Sequence, residues 1–225
     1  AATIVMHQGP NTGSVFGHVF DFSTLPVLAR VVLALLVCIV LCTIFTTIAG
    51  FFTAKFKMHP FISTMANMLV IFGVVTYSTK GVSFGAIDST IPNMIIPRIN
   101  GFPTIILWAI AAVIVVWFIW NKTTFGKNMF AVGSNPEAAK VSGVNVMRTT
   151  ILVHTLAGAM YGLTGFIESS RIGSNTANTG LNYECDAIAA CVIGGVSFVG
   201  GTGKISGVVL GVFLLRIIFV ALNFL

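Results

Sequence analysis

Charged side chains are scarce in this sequence. It holds 12 Lys and Arg and 6 Asp and Glu in 225 residues, 8% in all, against 56% hydrophobic residues and a mean hydropathy of +0.98. A water-soluble domain carries about 25% charged residues, so the shortage excludes one and puts lipid around most of the chain. Acidic groups are missing where an ion-driven pump needs them: the apolar runs from Val31 to Ala54, Phe61 to Thr79, Phe102 to Asn121 and Thr149 to Ile167 contain no Asp or Glu. Proton coupling therefore lacks its machinery. ATP hydrolysis lacks a Gly-x-x-x-x-Gly-Lys-Ser/Thr loop, and intramembrane proteolysis lacks paired Asp, a Ser with a His, or His-Glu-x-x-His. Cys38, Cys42, Cys185 and Cys191 form no Cys-x-x-Cys and have no His at zinc spacing, so no metal or other cofactor is expected. Cys38 and Cys42, four residues apart, read as small packing residues on one helix face. The net charge of +6 brings no expectation of nucleic acid, because the basic residues sit between apolar runs and not among stacking aromatics.

What the sequence does have is helix-length apolar runs. Each of the four is long enough to cross the roughly 30 Å hydrocarbon core, with Pro103 placed to open the third helix. The links holding Lys55 and Lys57, and Lys122, Lys127, Lys140 and Arg148, are expected in the cytoplasm; the links holding Lys80, Asp88 and Arg98, and Glu168, Arg171, Glu184 and Asp186, are expected outside. Arg30 stands at a span's end, and His154 reads as making a hydrogen bond between helices. Residues Ala187 to Gly203 are charge-free but broken by Gly194, Gly195, Gly200, Gly201 and Gly203. Two readings stand there: a short or interrupted helix, or a full helix with glycines on a packing face. Gly203, Gly207 and Gly211 recur every four residues, a stripe for close helix approach. Arg216, inside "VFLLRIIFV", faces a cavity, a partner or more of the chain, or else snorkels or pairs between helices. Ser63, Thr64 and Asn67 form a polar neighbourhood in the second span, suited either to passing contacts with a polyol or to bonds between helices.

The stretch "VGSNPEAAKVSGVNV", residues 132 to 146, is written differently. Asn135 is an N-cap, Pro136 suits the first helical position, Glu137 sits at the positive end of the dipole and Gly143 suits the stop, so a slim helix of about two turns is predicted. Ala138 and Ala139 keep it narrow. A rigid projection of this kind suits a membrane protein that is moved by a soluble motor.

The string Glu137-Ala138-Ala139-x-x-x-Gly143 resembles the Glu-Ala-Ala loop of bacterial ATP-binding-cassette (ABC) importer permeases. The segments "WNKTTFGKNMFAVGSNPEAAKVSGVNV" and "GFIESSRIGSNTANTGLNYECDAIAACVIGGVSFVGGTGKISGVVLGV" resemble the monosaccharide permeases of the ribose, arabinose, xylose and galactose group, most of all its galactose/methyl galactoside branch. "HPFISTMANMLVIFG" matches the group more weakly. Tyr183-Glu184-Cys185-Asp186 departs from the family's Tyr-Glu-Leu-Asp, and Arg216 falls where an uncharged residue is expected; both departures bear on substrate preference.

The resemblance implies an all-α, multi-span permease that pairs with a second copy, sits on a cytoplasmic ABC ATPase subunit and takes sugar from a periplasmic sugar-binding protein. It does no covalent chemistry itself. Asn135, Pro136, Glu137, Ala138, Ala139 and Gly143 are the expected ATPase-coupling element, and Glu168, Arg171, Glu184 and Asp186 an outer gate or binding-protein contact. Residues 1–225 are expected to form one transmembrane domain, a segment of a longer chain because "AATIVM" and "VALNFL" read as helix interiors. The alternatives are a permease for another small polar nutrient such as ribose or an autoinducer sugar, a passive sugar channel, and a non-transporting scaffold.

Overall fold

The structure, a computed structural model, describes residues 26–81, 87, 90–99 and 102–224. The elements run α1 (Val27–Phe56), α2 (Pro60–Thr79), α3 (Thr90–Ile95), β1 (Arg98–Ile99), β2 (Phe102–Pro103), α4 (Ile105–Lys122), α5 (Thr124–Ser134), α6 (Pro136–Val141), α7 (Val146–Ile172), α8 (Tyr183–Ile193) and α9 (Ile205–Asn223). Helices α1, α2, α4, α7 and α9 are long and apolar enough to cross a membrane. Their apolar side chains point outward: Leu28, Leu69, Leu107, Leu152 and Leu210 are all exposed, as suits surfaces meeting hydrocarbon. The fold is all-α apart from a two-residue antiparallel pairing, Arg98 with Pro103 and Ile99 with Phe102.

The described residues fall into two units. The first takes the chain up to Ile110 together with Thr150–Thr179. Within it α7 runs antiparallel to α1, and small residues set their spacing. A methyl group at Gly162 would lie 2.5 Å from the Ile39 Cα, and one at Gly50 would lie 2.6 Å from the His154 Cβ. Thr47 and Thr155 share a 3.0 Å hydroxyl hydrogen bond across the same seam. His154 departs from the sequence reading: Nδ1 donates to the Thr150 carbonyl of its own helix at 2.9 Å, because Gly50 brings α1 so close that the ring turns back along α7. The buried cluster is Ala34, Cys38, Ile87, Ile91, Ile95 and Phe166. Its three isoleucines come from the link after α2. That link folds back on the unit, and the Ile87 N–H donates to the Gly173 carbonyl at 2.9 Å.

The third span starts later than its apolar run. Pro103 lies in β2 and the helix begins at Ile105, since a residue before proline favours extended backbone and Thr104 is tied by its hydroxyl to the Pro97 carbonyl at 2.8 Å. The other three spans extend beyond their predicted limits, taking in Lys55 and Phe56, Pro60, Arg148, and Glu168 to Ile172.

The second unit takes Ala111–Thr149 and Gly180–Leu225. Its Gly-rich stretch has the interrupted form of the two sequence readings. Helix α8 has 11 residues and is about 16 Å long, well short of the hydrocarbon core. It ends where Gly195 takes φ +81°, with Gly195 N–H donating to Val192 O at 2.9 Å and Val196 N–H to Cys191 O at 3.0 Å. That is the Schellman stop, in which a left-handed residue satisfies the last carbonyls. The chain turns through Ser197–Thr202 and returns as α9, antiparallel to α8. Gly207 packs on the Gly194 backbone and Gly211 on Ala190, while Gly203 abuts the Val196 side chain. Side chains at the first two positions would hold the helices apart.

Candidate functional site

The predicted projection is a capped helix standing out from the second unit. The Asn135 Oδ1 accepts from Glu137 N–H at 3.0 Å and Ala138 N–H at 3.1 Å, satisfying two of the amide groups that a helix start leaves open. Pro136 occupies the first turn, where it has no N–H to lose. At the other end Gly143 takes φ +83°; its N–H donates to Lys140 O at 3.1 Å and Val144 N–H to Ala139 O at 3.0 Å. A side chain at that φ would be strained, so glycine gives a second Schellman stop. The helix is six residues, about 9 Å.

Pro136, Glu137, Ala138, Lys140 and Val141 are exposed, and Ala139 alone is buried, rooting the helix. Glu137 lies in the first turn and Lys140 in the last, each at the end of the dipole that favours its charge. The outcome is a stiff surface with one acid, one base and one apolar tip, Val141.

Helix α5, which the sequence reading treated as a link, carries α6. Thr123 opens it by accepting from Gly126 N–H at 3.2 Å, and Trp120 meets Phe130 edge-on at 5.6 Å, tying α5 to the end of α4. The last turn of α5 is seated on the turn after α8. A methyl group at Gly133 would lie 2.7 Å from the Gly201 backbone nitrogen, and one at Gly200 would lie 2.9 Å from the Gly133 carbonyl oxygen. The Ser134 hydroxyl donates to Gly201 O at 3.5 Å. Gly200 and Gly201 both have positive φ, +100° and +75°; the Gly200 backbone lies directly against Gly133, and Gly201 lies against Ser134.

The other sequence candidates lie on α2, α7, α8 and α9. Ser63 is buried and donates to the Ala49 carbonyl of α1 at 3.2 Å, a bond between helices. Thr64 is exposed and folds back on Pro60 O at 3.0 Å, and Asn67 is half-buried. Glu168 and Arg171 bind each other one turn apart on α7, Nη2 to Oε1 at 2.6 Å and Nε to Oε2 at 3.0 Å. Glu184 and Asp186 lie half-buried in the first turn of α8, where the helix dipole favours acids. Arg216 is exposed among Phe213, Ile217 and Val220, about 160° around α9 from the glycine face.

Two features escaped the sequence reading. Arg30 stands in the first turn of α1, at the span's end, and is buried there. Asn145 caps α7 by accepting from Arg148 N–H at 2.9 Å, a signal hidden by starting that span at Thr149, after the charge of Arg148.

Among curated proteins the chain is 44% identical to the galactose/methyl galactoside import permease protein of Treponema pallidum, covering 99% of this chain and 44% of that protein. It is 42% identical to the galactose/methyl galactoside import permease protein of Salmonella typhimurium, covering 100% of this chain and 65% of that protein. It is 39% identical to the L-arabinose transport system permease protein of Escherichia coli, covering 78% of this chain and 54% of that protein. The chain thus spans between 44% and 65% of the length of these relatives. No solved structure matches it. Residues 1–225 match the family described as branched-chain amino acid transport system / permease component, and the chain belongs to that family.

Proposed function

We propose that this chain is part of the helical body of a sugar permease in a bacterial inner membrane, working in an ATP-driven importer for galactose or methyl galactoside. Its relatives carry that activity in their names, and the chain's own contribution to it is α6. A cytoplasmic ATPase subunit grips α6 through Glu137, Lys140 and Val141, and ATP-driven movement of that subunit displaces the helix. A periplasmic binding protein delivers sugar from the other side, and a second copy of the permease completes the path. Sugar contacts on the chain's own surface fall to exposed polar groups such as Thr64, with Arg216 facing the second copy or a wet cavity, where its charge is not opposed by lipid.

The observation that carries this reading is the exposed helix stopped at both ends by its own sequence, since a lever must hold its shape under load. Full-length permease reconstituted with its ATPase and binding protein is expected to take up labelled galactose only when ATP is present, and Glu137→Arg is expected to abolish uptake while the protein remains in the membrane. Uptake by the permease alone would make it a facilitator; normal uptake by the variant would remove α6 from the mechanism. Unlabelled arabinose and ribose as competitors distinguish a pentose preference.

A further inference from the structure

The turn joining α8 to α9 is fastened to the root of α6, and the fastening is made of backbone. Gly133 and Ser134 are the last two residues of α5, directly before the cap Asn135. Gly133 meets the Gly200–Gly201 backbone directly, and Ser134 meets Gly201 through both its backbone and its hydroxyl. That turn is itself closed by hydrogen bonds from Ser197 N–H to Thr202 O at 3.1 Å and Gly200 N–H to Ser197 O at 3.2 Å. On its far side α8 and α9 are joined through Gly194, Gly207, Ala190 and Gly211. Each joint is a close backbone contact, which transmits displacement with little slack because no rotamer can absorb it.

We propose that Gly133, Gly200 and Gly201 are positioning residues that couple α6 to the short helix α8, so that displacement of α6 carries the α8–α9 hairpin with it as one body. The inference rests on α6 being the ATPase-driven element. It adds the route inward: the moving part of the pathway is the hairpin built on the interrupted helix, whose own length does not span the membrane. Spatial intermediacy alone does not establish coupling, so the test measures coupling itself.

Gly133→Ala is the informative change, because Ala suits a helix and only the contact with Gly201 is disturbed. Full-length permease carrying it, in vesicles with the ATPase and binding protein, is expected to bind the ATPase and hydrolyse ATP like the parent. Galactose moved per ATP is expected to fall by about five-fold or more, the lower end of usual coupling effects. Gly165→Ala, where a methyl group meets open space, serves as the control. An unchanged ratio in Gly133→Ala overturns the inference, and so does a simple loss of ATPase binding. A second variant, Ser134→Ala, adds no atom and removes the hydroxyl bond to Gly201, and it keeps the question open to refutation if Gly133→Ala does not fold. It is expected to bind the ATPase like the parent and to move less galactose per ATP. A ratio equal to the parent's overturns the coupling. Normal uptake by Glu137→Arg would instead refute the role of α6, a separate result.

Discussion

Asn135 holds two amide groups of α6 with one side-chain oxygen, and a helix of six residues has no spare bonds to make up for losing them. Asn135→Ala is expected to destabilise that helix by about 1 kcal/mol. Under the proposed mechanism, ATPase binding and uptake should weaken several-fold, while Asn135→Asp, an equally good cap, should restore both. The check is co-purification of the ATPase with each variant. Glu168 and Arg171 make the opposite case. Their pair lies partly in solvent on a single helix, so reversing either charge is expected to cost no more than about 1 kcal/mol, and reversing both should recover what either loses. Thermal melting of the purified variants decides it; a large loss that the double variant does not recover would mean that each residue has another essential partner. The cap of α6 was legible because its residue types act through neighbours two or three positions away. For Ser63 the sequence left two readings open, and its bond to α1 is one of them; the role of His154 was not legible, because it depends on how near α1 comes.

Helix α7 meets α1 through Gly158 and Gly162, four residues apart, and neither site has room for a side chain. Gly162→Leu is expected to force the helices apart and to cost about 1–3 kcal/mol, the range for overpacking, with a matching fall in melting temperature or a failure to accumulate. Gly73→Ala, which meets open space within its own chain, should leave melting unchanged. An equal effect at the two positions would mean that the seam does not limit stability. Four of the five long helices could be read from apolar run length, but their ends could not; the fifth, α9, was read only as a glycine stripe, with Arg216 interrupting its apolar run. Hydrophobicity marks the part inside hydrocarbon, whereas hydrogen bonding carries each helix past it to Lys122, Arg148 or Arg171. Helix α3 carried a signal in Ile91 and Ile95, four residues apart, that the polar residues around it masked. The stop after Ile193 was visible in the glycines; their attachment to α5 was not, since Gly133 and Gly201 are far apart in sequence and nothing local pairs them.

At the scale of the whole molecule, the Lys and Arg of the links carry the expectation that α6 lies in the cytoplasm and that the link before α8 opens to the outside. Membrane-impermeant thiol reagents test this directly in cells. Exposed Cys185 is expected to react from the outside, and Val141→Cys, in a background with Cys185 replaced, only after the membrane is opened. The reverse pattern would invert the topology and remove α6 from reach of any ATPase. The seat of Gly133 on Gly201 also bears on how such a protein can diversify. Glu137, Lys140 and Val141 are exposed, whereas Gly133 and Gly200 have no room for a side chain at the inner joint. Under the proposed mechanism, new engines can be fitted to the exposed face by ordinary substitution while the inner fitting stays fixed, which makes the projection an exchangeable plug on a permanent socket.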